Sequence, residues 1–292
     1  MRLGMVPAVV NRNPRFDPAD WELDAGIEEL AEVAGAAERL GYEFICFPGH
    51  VAIPTEVARV RGGVYWDQLS TMGFLAARTE RIKLASYCVV LGYYHPLQIA
   101  KSYGTLDRIS GGRLILGVGV GSLREEFELL GRPFEERGAR ADDAIRALRA
   151  SLSTREPEYH GEYFDFADWI LEPHAVQARV PIWVAGRSMR SLRRALELGD
   201  GWIPFGMTLE ELMPMLDRRR EEIARRGPGF DVVLAPEPPL DPVGDREGSL
   251  RAVERYAAAG ATALTVRVRH DSLPHYLEQL EALAAIATDA GG

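Results

Sequence analysis

HPLQIAKSYGTLDRISGGRLILGVGVGSLREEFELLG, residues 95–131, reads as helix, turn, buried strand and a glycine-rich loop opening another helix. Ala100, Tyr103, Leu106 and Ile109 recur at helical spacing. Ser110-Gly111-Gly112 stops that helix, because glycine enters left-handed turns without a Cβ penalty. Leu114-Ile115-Leu116 predicts a strand apolar on both faces, as in a parallel sheet covered by helices. Gly117, Gly119 and Gly121 follow at its carboxyl end, where α/β proteins hold their ligands. Ser122 with Glu125 has the spacing of a capping box. Such a box would turn a helix N-terminus, with its N–H groups and dipole, toward an anion. The stretch predicts one βα unit with a cofactor site at its top.

Outward from this unit the same alternation continues. The pattern predicts strands over 3–9, 43–47, 82–91, 113–118, 181–185, 201–204, 231–235 and 262–268. It predicts helices over 25–40, 67–78, 96–109, 139–151, 189–198, 209–226, 249–259 and 273–287. Eight of each is the complement of a closed (β/α)8 TIM barrel, with a doubly wound open sheet as the rival. Segments 49–66, after the second strand, and 153–179, before the fifth, exceed ordinary loop length and predict active-site walls or lids. The second alternates Tyr159, Tyr163, Phe164, Phe166 and Trp169 with turn residues, as a small β-hairpin would. Thr208 with Glu211 predicts another capping box, and Gly41 and Gly260 sit where helices end. Without repeat, low-complexity segment or linker, residues 1–292 read as one domain.

Composition narrows the function classes. A net charge of -9 argues against a nucleic-acid surface and lends no support to a membrane partner. No apolar run approaches a membrane span and no basic-then-apolar leader follows Met1, so a cytoplasmic protein is expected. Cys46 and Cys88 each sit in an apolar strand and read as buried, inert thiols. His160, His174, His270 and His275 share no ligand spacing, so no metal is expected.

Four ordered blocks carry a resemblance: AERLGYEFICFPGHVAIP (37–54), ARTERIKLASYCVVLGYYHP (77–96), the opening stretch, and PIWVAGRSMRSLRRALELGDGWIP (181–204). Together they resemble the luciferase-like monooxygenase superfamily, barrel enzymes that use FMN or the deazaflavin coenzyme F420. The HVAIP segment and the GVGVGSLREEFELLG block are most similar to the F420 branch. The resemblance implies an active-site histidine at His50, a side chain suited to proton exchange near neutral pH. Relatives usually place an acid just before it, where this chain has Gly49, so either an orienting carboxylate comes from elsewhere or His50 is less basic than in relatives. The resemblance also implies a non-prolyl cis peptide beneath the cofactor ring, at Tyr87–Cys88 once His95-Pro96 is aligned. His95 itself is expected only to shape the turn before Pro96.

Cofactor contacts are implied at Gly117, Gly119, Gly121 and Ser122, and phosphate contacts at Gly186, Arg187, Ser188 and Ser191 before a helix. FMN-using luciferases carry an arginine where this chain has Val120, which leans toward F420 over the alternative, FMN. Some F420-dependent dehydrogenases have an acid at the place of Ser122, so a sugar-phosphate substrate is not expected. Trp202 is expected to pack beneath the barrel mouth. Arg267 and Arg269 share a face of the last strand, open to a cofactor tail, a substrate carboxylate or outer-helix carboxylates.

The leading expectation is hydride transfer between a small organic substrate and F420, in a homodimer. The alternatives are an FMN-dependent monooxygenase and a flavin-binding barrel without catalysis. A nicotinamide-binding open sheet ranks last, because the only acids near the glycine loop, Glu125 and Glu126, lie in the following helix.

Overall fold

Short apolar strands buried on both faces are the mark of a parallel sheet covered by helices, and eight of them here close into a ring. In the computed structural model, which describes residues 1–289, these are β1 (Arg2–Met5), β2 (Phe44–Phe47), β3 (Lys83–Ser86, resuming at Val89–Val90) and β4 (Leu114–Gly119). Then come β5 (Ile182–Ala185), β6 (Gly201–Ile203), β7 (Asp231–Leu234) and β8 (Ala263–Val266). Every neighbouring pair is parallel, and β8 returns to β1 with Arg2 opposite Ala263 and Met5 opposite Val266. The expected closed barrel forms, and the open-sheet rival does not.

The outer layer is α1 (Ile27–Arg39), α2 (Gln68–Arg78), α3 (Pro96–Ile109), α4 (Arg137–Ser151), α5 (Met189–Leu198), α6 (Leu209–Arg218, resuming at Arg220–Arg226), α7 (Arg246–Ala258) and α8 (Leu273–Asp289). Local signals set several boundaries. α3 ends at Ser110, and Gly111 and Gly112 take φ of 67° and 87°. Thr208 and Glu211 form their reciprocal cap. His95 caps α3, its Nδ1 accepting from the Leu97 N–H, so it shapes the turn as expected. Among the described residues no helix is long and apolar enough to cross a membrane.

The two ends of the barrel divide the work. At the amino end, Arg2 pairs with Glu43 and Asp231 in a polar plug. The carboxyl end carries the long segment after β2. Segment 153–179 joins α4 to β5, so it is an αβ connection that leaves and rejoins the barrel at the amino end, where Gln177 donates to the Leu114 carbonyl, and not the βα loop that an active-site wall or lid requires. It contains the expected hairpin, Tyr159–His160 against Asp165–Phe166. It is tied to α4 by the Asp143 carboxylate, which accepts from the N–H groups of Tyr163 and Phe164.

Gly117 lies where β4 and β3 approach closely: a Cβ there would sit 1.9 Å from the Ser86 carbonyl oxygen. Backbone on backbone cannot yield as a side-chain tip can. Gly117→Ala is therefore expected to destabilise at the upper end of overpacking costs, about 3 kcal/mol, in urea unfolding.

Candidate active site

β2 delivers the chain upward through Phe47, Pro48 and Gly49 to His50 at the barrel mouth. Position 49 has no room for a side chain, because an added Cβ would lie 2.7 Å from Gln68, whose amide donates to the Phe47 carbonyl. A carboxylate reaches His50 instead from Glu126, in the short helix Arg124–Leu129 after β4. Its Oε2 lies 2.8 Å from His50 Nδ1 and accepts from the Tyr93 hydroxyl at 2.7 Å. Its Oε1 accepts from the N–H groups of Val51 (2.6 Å) and Ala52 (3.3 Å). The Glu126 side chain is 0% exposed and that of His50 is 22% exposed.

Burial alone would raise the Glu126 pKa, but hydrogen bonds from His50, Tyr93 and Val51 outweigh it and hold the carboxyl below its ordinary value. Glu126 therefore stays ionised and fixes hydrogen on Nδ1 of the imidazole, leaving the Nε2 lone pair free to accept a proton. The Tyr65 ring stands edge-on to His50, with centroids 4.8 Å apart, and packs the other side. Glu126 escaped sequence reading, since 76 residues separate it from His50. Its one signal was the missing acid at Gly49.

Ser122 and Glu125 do not form the expected capping box. The short helix Arg124–Leu129 starts one step later, with Leu123 at its cap and no side-chain bond there. The third helical position thus falls to Glu126, and donors from two other loops draw that carboxylate inward. Ser122 stands exposed.

Beside this pair β3 breaks and resumes, and the Tyr87–Cys88 peptide between its halves is cis, as the resemblance implied. Both side chains are half-buried at the mouth. Burial pushes the Cys88 thiol up to about 12 and the enclosed Cys46 thiol likewise, so neither is a nucleophile. Gly119 permits the bulge's close approach, since a Cβ there would lie 2.5 Å from Cys88 Sγ. Gly121, at φ 79°, would meet Phe127 at 2.6 Å.

From the bulge a chain of contacts crosses the mouth. The Tyr87 hydroxyl donates to the Pro204 carbonyl (2.8 Å), and its ring lies edge-on to Phe205. The Arg187 guanidinium in turn sits 5.5 Å from the Phe205 centroid. Arg187 and Ser188 are exposed at the start of α5, and Gly186 precedes them at φ 142°. Ser188 caps the helix, accepting from the Ser191 N–H at 3.3 Å. Ser191 is buried, its hydroxyl donating to the Ser188 carbonyl (2.7 Å) and accepting from Trp202 Nε1 (3.2 Å). Trp202 is fully buried, a packing residue as expected.

His50, the cis bulge, the glycine loop and the Arg187–Ser188 turn thus share one end of the barrel. Arg267 and Arg269 part company. Arg267 turns into the mouth, where Nη2 donates to Asn11 Oδ1 at 2.9 Å, whereas Arg269 is exposed.

The chain is similar to several known proteins. An F420-dependent glucose-6-phosphate dehydrogenase from Amycolatopsis mediterranei is 30% identical over 205 residues, covering 67% of this chain and 60% of its own. An FMNH(2)-dependent dimethylsulfone monooxygenase from Pseudomonas putida is 27% identical over 211 residues, 71% of this chain and 55% of that protein. In fold, the crystal structure of monooxygenase RslO1 from Streptomyces bottropensis matches with a TM-score of 0.75 at 20% identity, covering 100% of both chains. A family model for luciferase-like monooxygenases matches residues 1–287, and the chain belongs to that family.

Proposed function

We propose that this protein moves a hydride between a small organic substrate and coenzyme F420, with His50 exchanging the accompanying proton. The observation that carries the reading is the buried Glu126 carboxylate 2.8 Å from His50 Nδ1, beside the Tyr87–Cys88 bulge. A flat deazaflavin or flavin ring fits the chemistry of this mouth. Tyr87 and Cys88 offer a half-buried, largely apolar wall, kept clear by Gly119. Arg187 and Ser188 are exposed at the start of α5, where the guanidinium and the Met189 and Arg190 N–H groups are suited to a phosphate, while the buried Ser191 is spent on the cap.

Bound there, F420 supplies C5 as hydride acceptor or donor. The protein's share is to position the ring, exclude water and keep Nε2 of His50 facing the reacting group. When an alcohol carbon loses hydride, Nε2 takes the hydroxyl proton; in the reverse direction it returns that proton. The reading carries with it the cytoplasmic homodimer that the sequence suggests.

Val120, at the place of the arginine in FMN-using luciferases, favours F420. The similarity to an FMNH(2)-dependent monooxygenase supports the second reading, an FMN-dependent oxygenation. Fluorescence titration separates the two. F420 is expected to bind at least about tenfold tighter than FMN, a difference of about 1.4 kcal/mol; tighter FMN binding would overturn the proposal.

A further inference from the structure

Arg267 is a half-buried guanidinium that no part of the proposed chemistry uses. It leaves the end of β8 and reaches the loop after β1, where its plane covers the Phe16 ring at 4.4 Å. Of its five N–H donors, one is engaged by the Asn11 side chain. Among the described residues no carboxylate lies within 4.0 Å of it, and the acids that face it are already held. Glu22 accepts from the N–H groups of Val9 (3.2 Å) and Ala19 (2.9 Å), and Glu237 pairs with Arg15.

The phenols facing the guanidinium do not balance it either. Burial pushes Tyr65, Tyr87 and Tyr276 upward, so all three are neutral. A largely desolvated guanidinium with no carboxylate in direct contact, Glu22 facing it from beyond 4.0 Å, is costly and needs a reason. Arg267 also lines a cleft of about 30 Å³ together with Asn11, Glu22, His270 and Tyr276. That is room for a terminal group of a ligand, and a planar fork of donors matches a planar carboxylate.

The position also joins the reacting centre. Asn11, which receives the Arg267 bond, pairs with Tyr65 as an isolated bridge, and Tyr65 packs edge-on against His50. We propose that Arg267 is the anion-recognition residue of the substrate pocket, so that the substrate class is organic carboxylates. This rests on the oxidoreductase reading above for what happens to the substrate, but not for its binding.

The test compares benzoate with benzamide, close in size but different in charge, by isothermal titration calorimetry. Wild-type protein is expected to bind benzoate at least about tenfold tighter than benzamide. Arg267→Gln is expected to abolish that preference, while Arg269→Gln, at an exposed neighbour, keeps it. Equal affinity of the wild type for both probes overturns the proposal without recourse to any variant. So does a benzoate preference that survives in Arg267→Gln. F420 and FMN affinities of Arg267→Gln are expected to stay within about threefold of wild type. Loss of cofactor binding with benzoate preference intact would assign the guanidinium to the cofactor and overturn the inference. Should the wild type bind neither cofactor, the oxidoreductase reading fails while the benzoate comparison still decides the anion site.

Discussion

His50→Ala is expected to lower turnover by about 100-fold or more while leaving F420 affinity within about twofold of wild type. A positioned acid–base group typically contributes 10²–10⁴-fold, and nothing else at this mouth can substitute for it. Tyr65 and Tyr93 are the nearest hydroxyl-bearing neighbours, and burial raises both phenols well above the range in which they exchange protons at neutral pH. Cofactor affinity should persist, because the proposed holding groups lie on β3, β4 and the start of α5. Steady-state kinetics with a parallel fluorescence titration checks both halves. Surviving turnover would remove His50 from the chemistry.

Glu126→Gln is expected to cost nearly as much through a different route. The carboxylate accepts from His50 Nδ1, Tyr93, Val51 and Ala52. An amide has one accepting oxygen, so whichever way it turns, its NH2 meets two groups that also donate. If the oxygen keeps Val51 and Ala52, the imidazole must put its hydrogen on Nε2 and present the wrong tautomer to the substrate. In a hydrolase triad the corresponding carboxylate-to-amide change costs about 10⁴-fold. Here kcat is expected to fall by about 100-fold with KM changed less than about threefold. A merely structural Glu126 would lower stability and leave that split unmoved. Unfolding in urea should show a separate loss of about 1–3 kcal/mol from the unmatched donors.

The barrel was legible because its periods are local. Leu114–Gly119 is buried at every position, so its apolar run has no alternation to misread. α3 stops where Ser110-Gly111-Gly112 permits left-handed turns, and those glycines take them. Two copies of one motif show where locality ends. Thr208 and Glu211 cap α6 as written, whereas Ser122 and Glu125 do not cap their helix. Around Thr208 the neighbouring acid, Glu210, pairs with Arg255 and leaves Glu211 to the cap. Around Ser122 the next acid, Glu126, is captured by donors from the loops after β2 and β3, which shifts the helix start by one residue.

The site divides along the same line. His50, the Tyr87–Cys88 peptide and the α5 turn lie in ordered blocks, each within one βα unit, and of the features expected there the structure shows the cis bond. The His50–Glu126 contact spans 76 residues and has no spacing signature. Helix Thr55–Arg61, inside the long segment after β2, was missed because none of its residues is buried and so no apolar stripe marks it.

Together these groups are proposed to form the one mouth that holds the cofactor. Hydrogen–deuterium exchange of the wild-type protein with and without F420 reads that placement. Slower exchange is expected around Tyr87 and Cys88, across Gly119 to Ser122, and from Gly186 to Ser191. Protection confined to the amino end around Arg2, Glu43 and Asp231, or no change at the mouth under saturating F420, would contradict it.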